Sequence, residues 1–259
     1  MSEAVLYAVE EGVASVRFNR PDRLNAIDVE LAEAFEQAID RAIGDPTVRV
    51  VLISGEGRAF VAGGDLAYFH AAGDAAGEAS RRLIGPMHAA ILRLSESRLI
   101  SVAALHGAVA GGGMSVALST DLAVAADNAV FNMAYVNVAA SPDCSGSWHL
   151  VRLVGLRKAM QIALLSDSIA APEALALGLV NQVVTPEALQ ATASALARRL
   201  ARGASAALAR TKVLLRQAGS ASLSQQLDAE AESFAASATT SDFREALAAF
   251  FEKRRPQFE

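Results

Sequence analysis

Three short, nearly uninterrupted apolar runs, at residues 48–54, 100–105 and 122–126, lie in the first half of the chain. A continuous apolar run is typical of a strand that is buried on both faces, whereas a half-exposed strand alternates apolar and polar residues. Longer segments with helical periodicity separate the runs, as in strand–helix–strand crossovers. The sequence therefore predicts an α/β fold on a parallel sheet rather than a sandwich of two sheets.

The remaining patterns predict a hairpin before this sheet and several helices after it. Two strands, at residues 5–9 and 13–19, would join at Glu11-Gly12, and Asp28 is a suitable N-cap for a helix over residues 29–43. Further helices are predicted at residues 80–94, 186–202, 204–218, 223–238 and 242–254. We accordingly divide the chain into an α/β core, residues 1–200, and a helical region, residues 201–259.

The composition excludes or disfavours several classes of protein. Of the 259 residues 53% are hydrophobic, which is enough for a large core and excludes a disordered chain. A net charge of −5 disfavours a dedicated nucleic-acid binder, and the single cysteine, Cys144, excludes an intramolecular disulfide or a cysteine-based zinc cluster. The N-terminus lacks the basic start of a signal peptide, and no stretch reaches the ~18 apolar residues of a membrane span. We expect a cytoplasmic protein that contacts neither nucleic acid nor membranes.

Two glycine clusters, at residues 62–66 and 111–113, each follow a predicted buried strand, and the second opens a helix. Glycine at such a turn lets the backbone approach a ligand closely and present free N–H groups to it. Neither cluster carries the lysine of a phosphate-binding loop. The residues alone leave two interpretations open: tight packing, or two turns that each offer one N–H group to a developing oxyanion.

A series of short motifs recurs along the chain in a fixed order. They are Asn19-Arg20-Pro21, Leu24-Asn25-Ala26, Gly57-Arg58-Ala59-Phe60, AGGDL at 62–66, HGAVAGGG at 106–113, Asp121, Leu153-Val154-Gly155, Ala174 with Gly178-Leu179-Val180, and Phe250-Phe251-Glu252-Lys253-Arg254. Together they resemble the crotonase (enoyl-CoA hydratase/isomerase) superfamily over essentially the whole chain. The resemblance implies a crotonase-like spiral of ββα turns with a C-terminal helical trimerisation region. It also implies a homotrimer or a dimer of trimers and an acyl-CoA thioester as substrate, with no metal or redox cofactor.

The resemblance further implies which residues bind the thioester. The N–H groups of Gly64 and Gly112 would form the oxyanion hole for its carbonyl oxygen. Arg23 matches the basic position for the CoA phosphates, and Phe250 and Lys253 match a contact to the nucleotide made from a neighbouring subunit. The other predicted contacts to the ligand are Leu24, Ala26, Ala62, Gly63, Asp65 and Leu66. Taken alone, Arg23 or Lys253 is equally well a solvated surface charge.

The acid and base residues decide the reaction. Hydratases of this family carry two glutamates, and the matching positions here are Ser115 and Tyr135. Hydration needs one group to deprotonate water and another to deliver a proton to carbon, so the loss of both carboxylates disfavours it. Asp143 remains; its Pro-Asp context alone favours a helix-capping turn. The resemblance favours a catalytic role instead, since several crotonase-fold isomerases, including the ring-opening type of phenylacetate breakdown, have their catalytic aspartate at this position.

An enoyl-CoA isomerase with Asp143 as acid and base is our leading hypothesis. The 4-chlorobenzoyl-CoA dehalogenases also resemble this chain, with a nucleophilic aspartate at Asp143 and a histidine at His88. In that alternative, a dehalogenase or thioester hydrolase, His88 would activate water. The simpler interpretation of His88 is a helix residue that lines a pocket. That group has a tryptophan where this chain has Tyr135. The remaining alternatives are a hydratase-like member without the glutamates and a non-catalytic acyl-CoA binder. No histidine has the spacing of a metal site.

Overall fold

The computed structural model describes residues 4–258, so Met1–Glu3 and Glu259, at the ends of the two predicted domains, lie outside it. Six strands form one sheet in the order β1-β2-β3-β4-β6-β9, and three form a small second sheet in the order β5-β7-β8. The strands are β1 Val5–Glu10, β2 Val13–Phe18, β3 Val50–Gly55, β4 Ile100–Leu105, β5 Ala108–Ala110, β6 Leu122–Ala126, β7 Val130–Asn132, β8 Ile169–Ala170 and β9 Gln182–Val184. The predicted α/β class is confirmed.

The three apolar runs form the centre of the large sheet. Strands β2, β3, β4, β6 and β9 are parallel, and only the β1–β2 hairpin among the pairs of this sheet is antiparallel. The residues of β4 are all buried, as are those of β3 up to Ser54. Separate apolar clusters cover the two faces of this sheet, with Val51 and Ile53 in one cluster and Val50 and Leu52 in the other. Burial on both faces explains why these strands read as continuous apolar runs.

The helices are α1 Val29–Gly44, α2 Leu66–Ala72, α3 Ala76–Glu96, α4 Gly112–Ser119, α5 Gly146–Leu165, α6 Ala171–Ala176, α7 Pro186–Ala201, α8 Ser205–Gln217, α9 Leu223–Ala238 and α10 Ser241–Glu252. Asp28 caps α1 as predicted, accepting the Leu31 N–H at 2.9 Å. Helix α3 begins earlier than the predicted residue 80 and continues through Pro86. Helix α5 is kinked at Gly155, whose φ is +74°. No helix in the described part of the chain is long and apolar enough to cross a membrane.

The four C-terminal helices begin close to the predicted ranges, and the predicted division at residue 200 falls at the end of α7. Large apolar side chains project from this region into solvent. They are Val213, Leu215, Leu223, Leu227, Phe234, Leu247, Phe250 and Phe251. A concentration of exposed apolar side chains in one region is typical of a surface that binds a partner.

A buried ionic cluster anchors α8 to the sheet. Lys212 is 6% exposed, and its Nζ lies 3.1 Å from Asp121 Oδ2 while donating to the carbonyls of Leu94 and Leu99. Arg216 pairs with Asp121 Oδ1 at 2.6 Å. Burial alone would raise the pKa of Asp121, but Lys212 and the Arg216 hydrogen bond outweigh burial and hold that pKa below its usual value. One carboxylate therefore pairs with two cations that lie between the core and the helical region.

Removing this carboxylate should destabilise the protein strongly. In Asp121→Ala the buried Lys212 loses its counter-ion, and breaking one side of a buried pair costs about 3–5 kcal/mol. Urea unfolding measures the loss, and adding Lys212→Met should recover part of it because no uncompensated amine is then buried. Glu245→Ala is the control, since it breaks an exposed pair with Arg254 and should change the free energy of unfolding little. A loss no larger than the control's would contradict the assigned role of the cluster.

Candidate active site

The two glycine turns face each other, one in the segment after β3 and the other directly after β5. Val61 pairs with Val109 in a short parallel bridge, and a Cβ built on Gly111 would lie 3.5 Å from the Cα of Gly63. A Cβ on Gly113 would collide with the Val61 carbonyl, so this approach requires glycine. The tight-packing interpretation therefore holds for parts of both clusters.

Two N–H groups at these turns remain available. Gly64 forms a bridge with Ile27, in which Ile27 donates its N–H to the Gly63 carbonyl and accepts the Asp65 N–H, so the Gly64 N–H is not used. Gly112 is the first residue of α4, where the N–H groups of a helix have no partner within the helix. Within residues 4–258 neither Gly64 nor Gly112 donates its N–H to another group. The geometry thus leaves one free donor on each of two facing turns, which is what an oxyanion hole requires.

The predicted ligand-binding segments on either side of Gly63 lie against each other. The Ala62 N–H donates to the Leu24 carbonyl at 3.1 Å, and the Ile27 N–H donates to the Gly63 carbonyl at 2.8 Å. Leu24 has a left-handed backbone, φ +52°, and Arg23 beside it is exposed. Arg23, Leu24 and Ala26 are thereby held at the same edge as Ala62 and Gly63, as a shared ligand would require.

Two residues that the sequence did not assign to the site hold these segments together. Asn25 is fully buried, and its Nδ2 donates to the carbonyls of Glu56, Ala59 and Phe60 at 2.8–3.0 Å. Arg20 donates to the Ala26 carbonyl and pairs with Asp28 and Asp65, at 2.8 and 3.2 Å. Both residues belong to motifs that the chain shares with the crotonase superfamily, and those motifs are the sequence pattern that could have indicated them. Their structural role is to fix the loop that carries Leu24.

The other predicted contacts to the ligand are placed differently. The Asp65 side chain caps α2 by accepting the Ala67 N–H at 3.0 Å, in addition to pairing with Arg20. Leu66 is 59% exposed beside it. Phe250 and Lys253 lie at the end of α10, and the tail after them lines the same cavity as Gly12, just before β2 begins. The start of β2 lies at the amino ends of the parallel strands, whereas the glycine turns follow their carboxyl ends, so the structure does not bring these two residues to the site of their own chain.

Ser115, Tyr135 and Asp143 form a continuous hydrogen-bonded chain. The Tyr135 hydroxyl donates to Asp143 Oδ1 at 2.5 Å and lies 2.9 Å from Ser115 Oγ. Burial, and then the Asp143 carboxylate, raise the pKa of the Tyr135 phenol, so it keeps its proton and acts as the donor. Since the one phenolic proton goes to Asp143, Ser115 must donate to Tyr135. The two positions that carry glutamate in hydratases thus orient a single carboxylate.

Asp143 faces the second glycine turn and does not cap a helix. A Cβ built on Gly112 would lie 3.9 Å from Asp143 Oδ1, which places the carboxylate next to Gly112 at the start of α4. Helix α5 begins after Ser145 without a side-chain cap. The capping interpretation of the Pro-Asp pattern is therefore wrong, because the side chain turns towards Tyr135 instead. A carboxylate beside a free N–H donor is suited to moving a proton at a carbon next to a bound carbonyl.

The segment after Asp143 is tightly enclosed. Gly146 packs so closely on Ser115 that a Cβ built on it would collide with the Ser115 hydroxyl. Cys144 is 1% exposed, and burial, followed by the Asp143 charge, raises the pKa of its thiol well above the usual value. The thiol therefore stays protonated and does not act as a nucleophile, because only the thiolate is nucleophilic. His88, on α3, accepts the Cys144 N–H with its Nε2 at 3.1 Å.

His149 lies one helical turn beyond this segment. Its Nδ1 is 3.0 Å from Ser145 Oγ, and its buried Nε2 has no hydrogen-bond partner among residues 4–258. Burial, followed by the charge of Arg216, lowers the pKa of His149 to about 4. The described residues include no cluster of three or more His, Cys, Asp or Glu side chains able to hold a metal ion.

The pKa of His149 makes the stability of the fold depend on pH. The pKa of this imidazole is about 6.5 in the unfolded chain and about 4 in the folded protein. Between these values the unfolded state holds more protons, so stability falls as the pH drops, by up to about 3 kcal/mol over the window. Urea unfolding at a series of pH values measures this, and His149→Gln should flatten that part of the curve. The exposed His70→Gln is the control; equal slopes in His149→Gln and the parent would contradict the assignment.

The parallel sheet, its paired glycine turns and the C-terminal helices define an α/β protein of the crotonase fold. The family model described as enoyl-CoA hydratase/isomerase matches residues 8–259, and the chain belongs to this family. It is 36% identical over 262 residues to 1,2-epoxyphenylacetyl-CoA isomerase of Escherichia coli, covering 100% of this chain and 99% of that protein. It is 34% identical to trans-2-decenoyl-[acyl-carrier-protein] isomerase of Streptococcus mutans, with coverage of 98% and 97%. The crystal structure of an enoyl-CoA hydratase from Polaromonas sp. JS666 superposes with a TM-score of 0.94 at 36% identity, covering 98% of this chain and 99% of that one.

Proposed function

We propose that this member of the family is an isomerase that moves the double bond of an enoyl-CoA thioester. The N–H groups of Gly64 and Gly112 bind the thioester oxygen, which makes the neighbouring C–H bonds acidic. Asp143 removes a proton from one carbon, and the electron pair shifts into an enolate stabilised by the two N–H groups. The same carboxyl group returns the proton to another carbon. The thioester itself supplies the activation, so the reaction needs no further cofactor.

The observation that carries this proposal is the chain from Ser115 through Tyr135 to Asp143. It ends in one carboxylate, next to Gly112, and an isomerase needs one group that gives back the proton it takes. A hydratase also needs a second group to activate water. Tyr135, which stays protonated at neutral pH, does not supply that base. The relatives include proteins named isomerases and proteins named hydratases, so the argument rests on these side chains.

A dehalogenase or thioester hydrolase receives less support. It would need His88 to take a proton from water, but His88 Nε2 already accepts the Cys144 N–H. The residue at position 135 also differs, since the dehalogenases that this chain resembles have a tryptophan where this chain has Tyr135. A non-catalytic binder would not need a carboxylate oriented beside the second glycine turn.

Incubation with acyl-CoA substrates in deuterated water distinguishes these functions. The proposed isomerase should convert 3-enoyl-CoA to 2-enoyl-CoA and exchange deuterium into C2 and C4, the α- and γ-carbons of the thioester. Hydratase activity would appear as 3-hydroxyacyl-CoA, and dehalogenase activity as chloride released from a 4-chlorobenzoyl thioester. Binding of acyl-CoA with no exchange into any of the thioesters would overturn the proposal in favour of a binder.

The exposed apolar surface of the C-terminal helices supports a homotrimer or a dimer of trimers. In such an assembly Phe250 and Lys253 would reach the CoA of a neighbouring subunit, with Arg23 contacting the phosphates from the subunit that holds the thioester. Removing residues 223–259 should therefore abolish assembly and weaken CoA binding. Sedimentation analysis measures the assembly. A truncated protein that remains a soluble trimer and binds CoA would contradict this use of the helices.

A further inference from the structure

The short turn after Asp143 has an unusual backbone. Cys144 and Ser145 both have positive φ, +48° and +63°, although neither is glycine. Side chains with a Cβ avoid this region, and each such residue costs of order 1 kcal/mol or more, so the surrounding contacts must hold it. The turn is closed on one side by the Gly146 N–H, which donates to the Asp143 carbonyl at 2.9 Å. The carboxylate's place beside Gly112 depends on this strained turn.

His88 holds the other side of the turn. It belongs to α3, 56 residues before Cys144, and its Nε2 accepts the Cys144 N–H at 3.1 Å. A nitrogen that accepts a hydrogen bond carries no proton, so the neutral ring must have its proton on Nδ1. The Cys144 N–H is otherwise without an acceptor among the described residues. His88 therefore contributes a lone pair at the point where the backbone is least favourable.

We propose that His88 is a positioning residue: its Nε2 lone pair fixes the Cys144 peptide and thereby sets the Asp143 carboxylate against the bound thioester. This inference rests on the proposed role of Asp143. Misplacing a catalytic group by about 1 Å costs on the order of 10²-fold in rate. The histidine then acts as a hydrogen-bond acceptor throughout turnover and takes no proton from substrate or water.

The surroundings of His88 give access for a direct test. A cavity of about 760 Å³ lies between α3, the start of α5 and α8, and His88, Leu92, Ser145 and Trp148 line it. Free imidazole is much smaller than this volume. Imidazole added to a variant without the ring can enter from the cavity and offer the missing acceptor.

The experiment compares an accepting with a non-accepting side chain at residue 88. A glutamine oxygen can take the place of Nε2, so His88→Gln should keep kcat within about 3-fold of the parent. His88→Leu has no acceptor, and we expect kcat to fall about 10–100-fold with little change in KM, since the thioester contacts at the glycine turns remain. Imidazole should restore part of the kcat of His88→Leu. Leu92→Ala, which alters the same cavity without a hydrogen bond, should behave like the parent.

Two results with the variants would overturn the inference. One is a kcat of His88→Gln as low as that of His88→Leu, because the basicity of the imidazole would then matter and not its ability to accept a hydrogen bond. The other is parental kcat in His88→Leu. The nitrogen-15 spectrum of the parent imidazole gives a test that does not depend on any variant, because it should show the Nδ1–H form; the Nε2–H form would also overturn it. Failure of the proposed function is separate, since an inactive parent or an unaffected Asp143→Asn would reveal it.

Discussion

Asp143→Asn should abolish most of the turnover while leaving the affinity for acyl-CoA nearly unchanged. The amide keeps the size of the carboxyl group, and its oxygen can still accept the Tyr135 hydroxyl, which lies 2.5 Å from Oδ1 in the parent. It cannot take a proton from carbon. General acid–base groups contribute ~10²–10⁴-fold in rate, and we expect the upper end because no second carboxylate stands at residue 115 or 135. Initial rates with 3-enoyl-CoA and calorimetric titration with a CoA thioester measure the two quantities.

The control for this variant is an aspartate outside the site. Asp127 is exposed and follows β6. The variant Asp127→Asn makes the same chemical change and should have the turnover of the parent. If Asp143→Asn also retained near-parental turnover, both the isomerase and the dehalogenase schemes would fail. The remaining interpretations would be Tyr135 as the catalytic group or a protein that binds acyl-CoA without transforming it.

Gly112→Pro should lower kcat by ~10²–10³-fold, which is the usual effect of losing one oxyanion donor. Proline is favoured at the first position of a helix, which is where Gly112 lies in α4, and it removes the N–H that would bind the thioester oxygen. The loss should fall mainly on kcat, because the charge on the oxygen is largest in the enolate. Steady-state rates and the affinity for a CoA thioester measure the two effects separately.

Gly112→Ala separates the missing donor from crowding. Both substitutions add a Cβ, which would lie 3.2 Å from Ile27 Cδ1 and 3.9 Å from Asp143 Oδ1, but alanine keeps the N–H. We expect Gly112→Ala to lose much less than Gly112→Pro. Equal losses would mean that the added carbon causes the effect, and an active Gly112→Pro would remove Gly112 from the oxyanion hole.

Local patterns were sufficient to predict the main elements of the fold. The apolar runs form β3, β4 and β6, because burial on both faces favours apolar residues at almost every position; Ser54 and Ser101 are the buried polar exceptions in β3 and β4. Asp28 caps α1, since an N-cap bond joins residues three apart and both lie in the same stretch of sequence. Helix α3 extends further than its pattern because the segment after Gly73 forms helical turns despite its small residues.

The candidate site was less predictable because its bonds join distant residues. Nothing in the pattern around Ser115 indicates that its hydroxyl meets Tyr135, 20 residues later. The Pro-Asp pattern at Asp143 predicts a cap, and only the direction of the side chain decides otherwise. The bond from Cys144 to His88 crosses between two elements. The motifs of the family indicated which residues to consider, and the three-dimensional packing determined what they contact.

The close packing of Ser115 against Gly146 also constrains how such a site can evolve. Ser115 is fully buried, so a glutamate there would have to displace Tyr135 or the start of α5. It would also bring a second negative charge towards Asp143, and like charges at that range disfavour ionisation of both groups. We therefore expect the single change Ser115→Glu to disturb this site and not to add a second working carboxylate. A second carboxylate at residue 115 would require a wider pocket or the loss of Asp143, so the packing at Gly146 favours one carboxylate in this site.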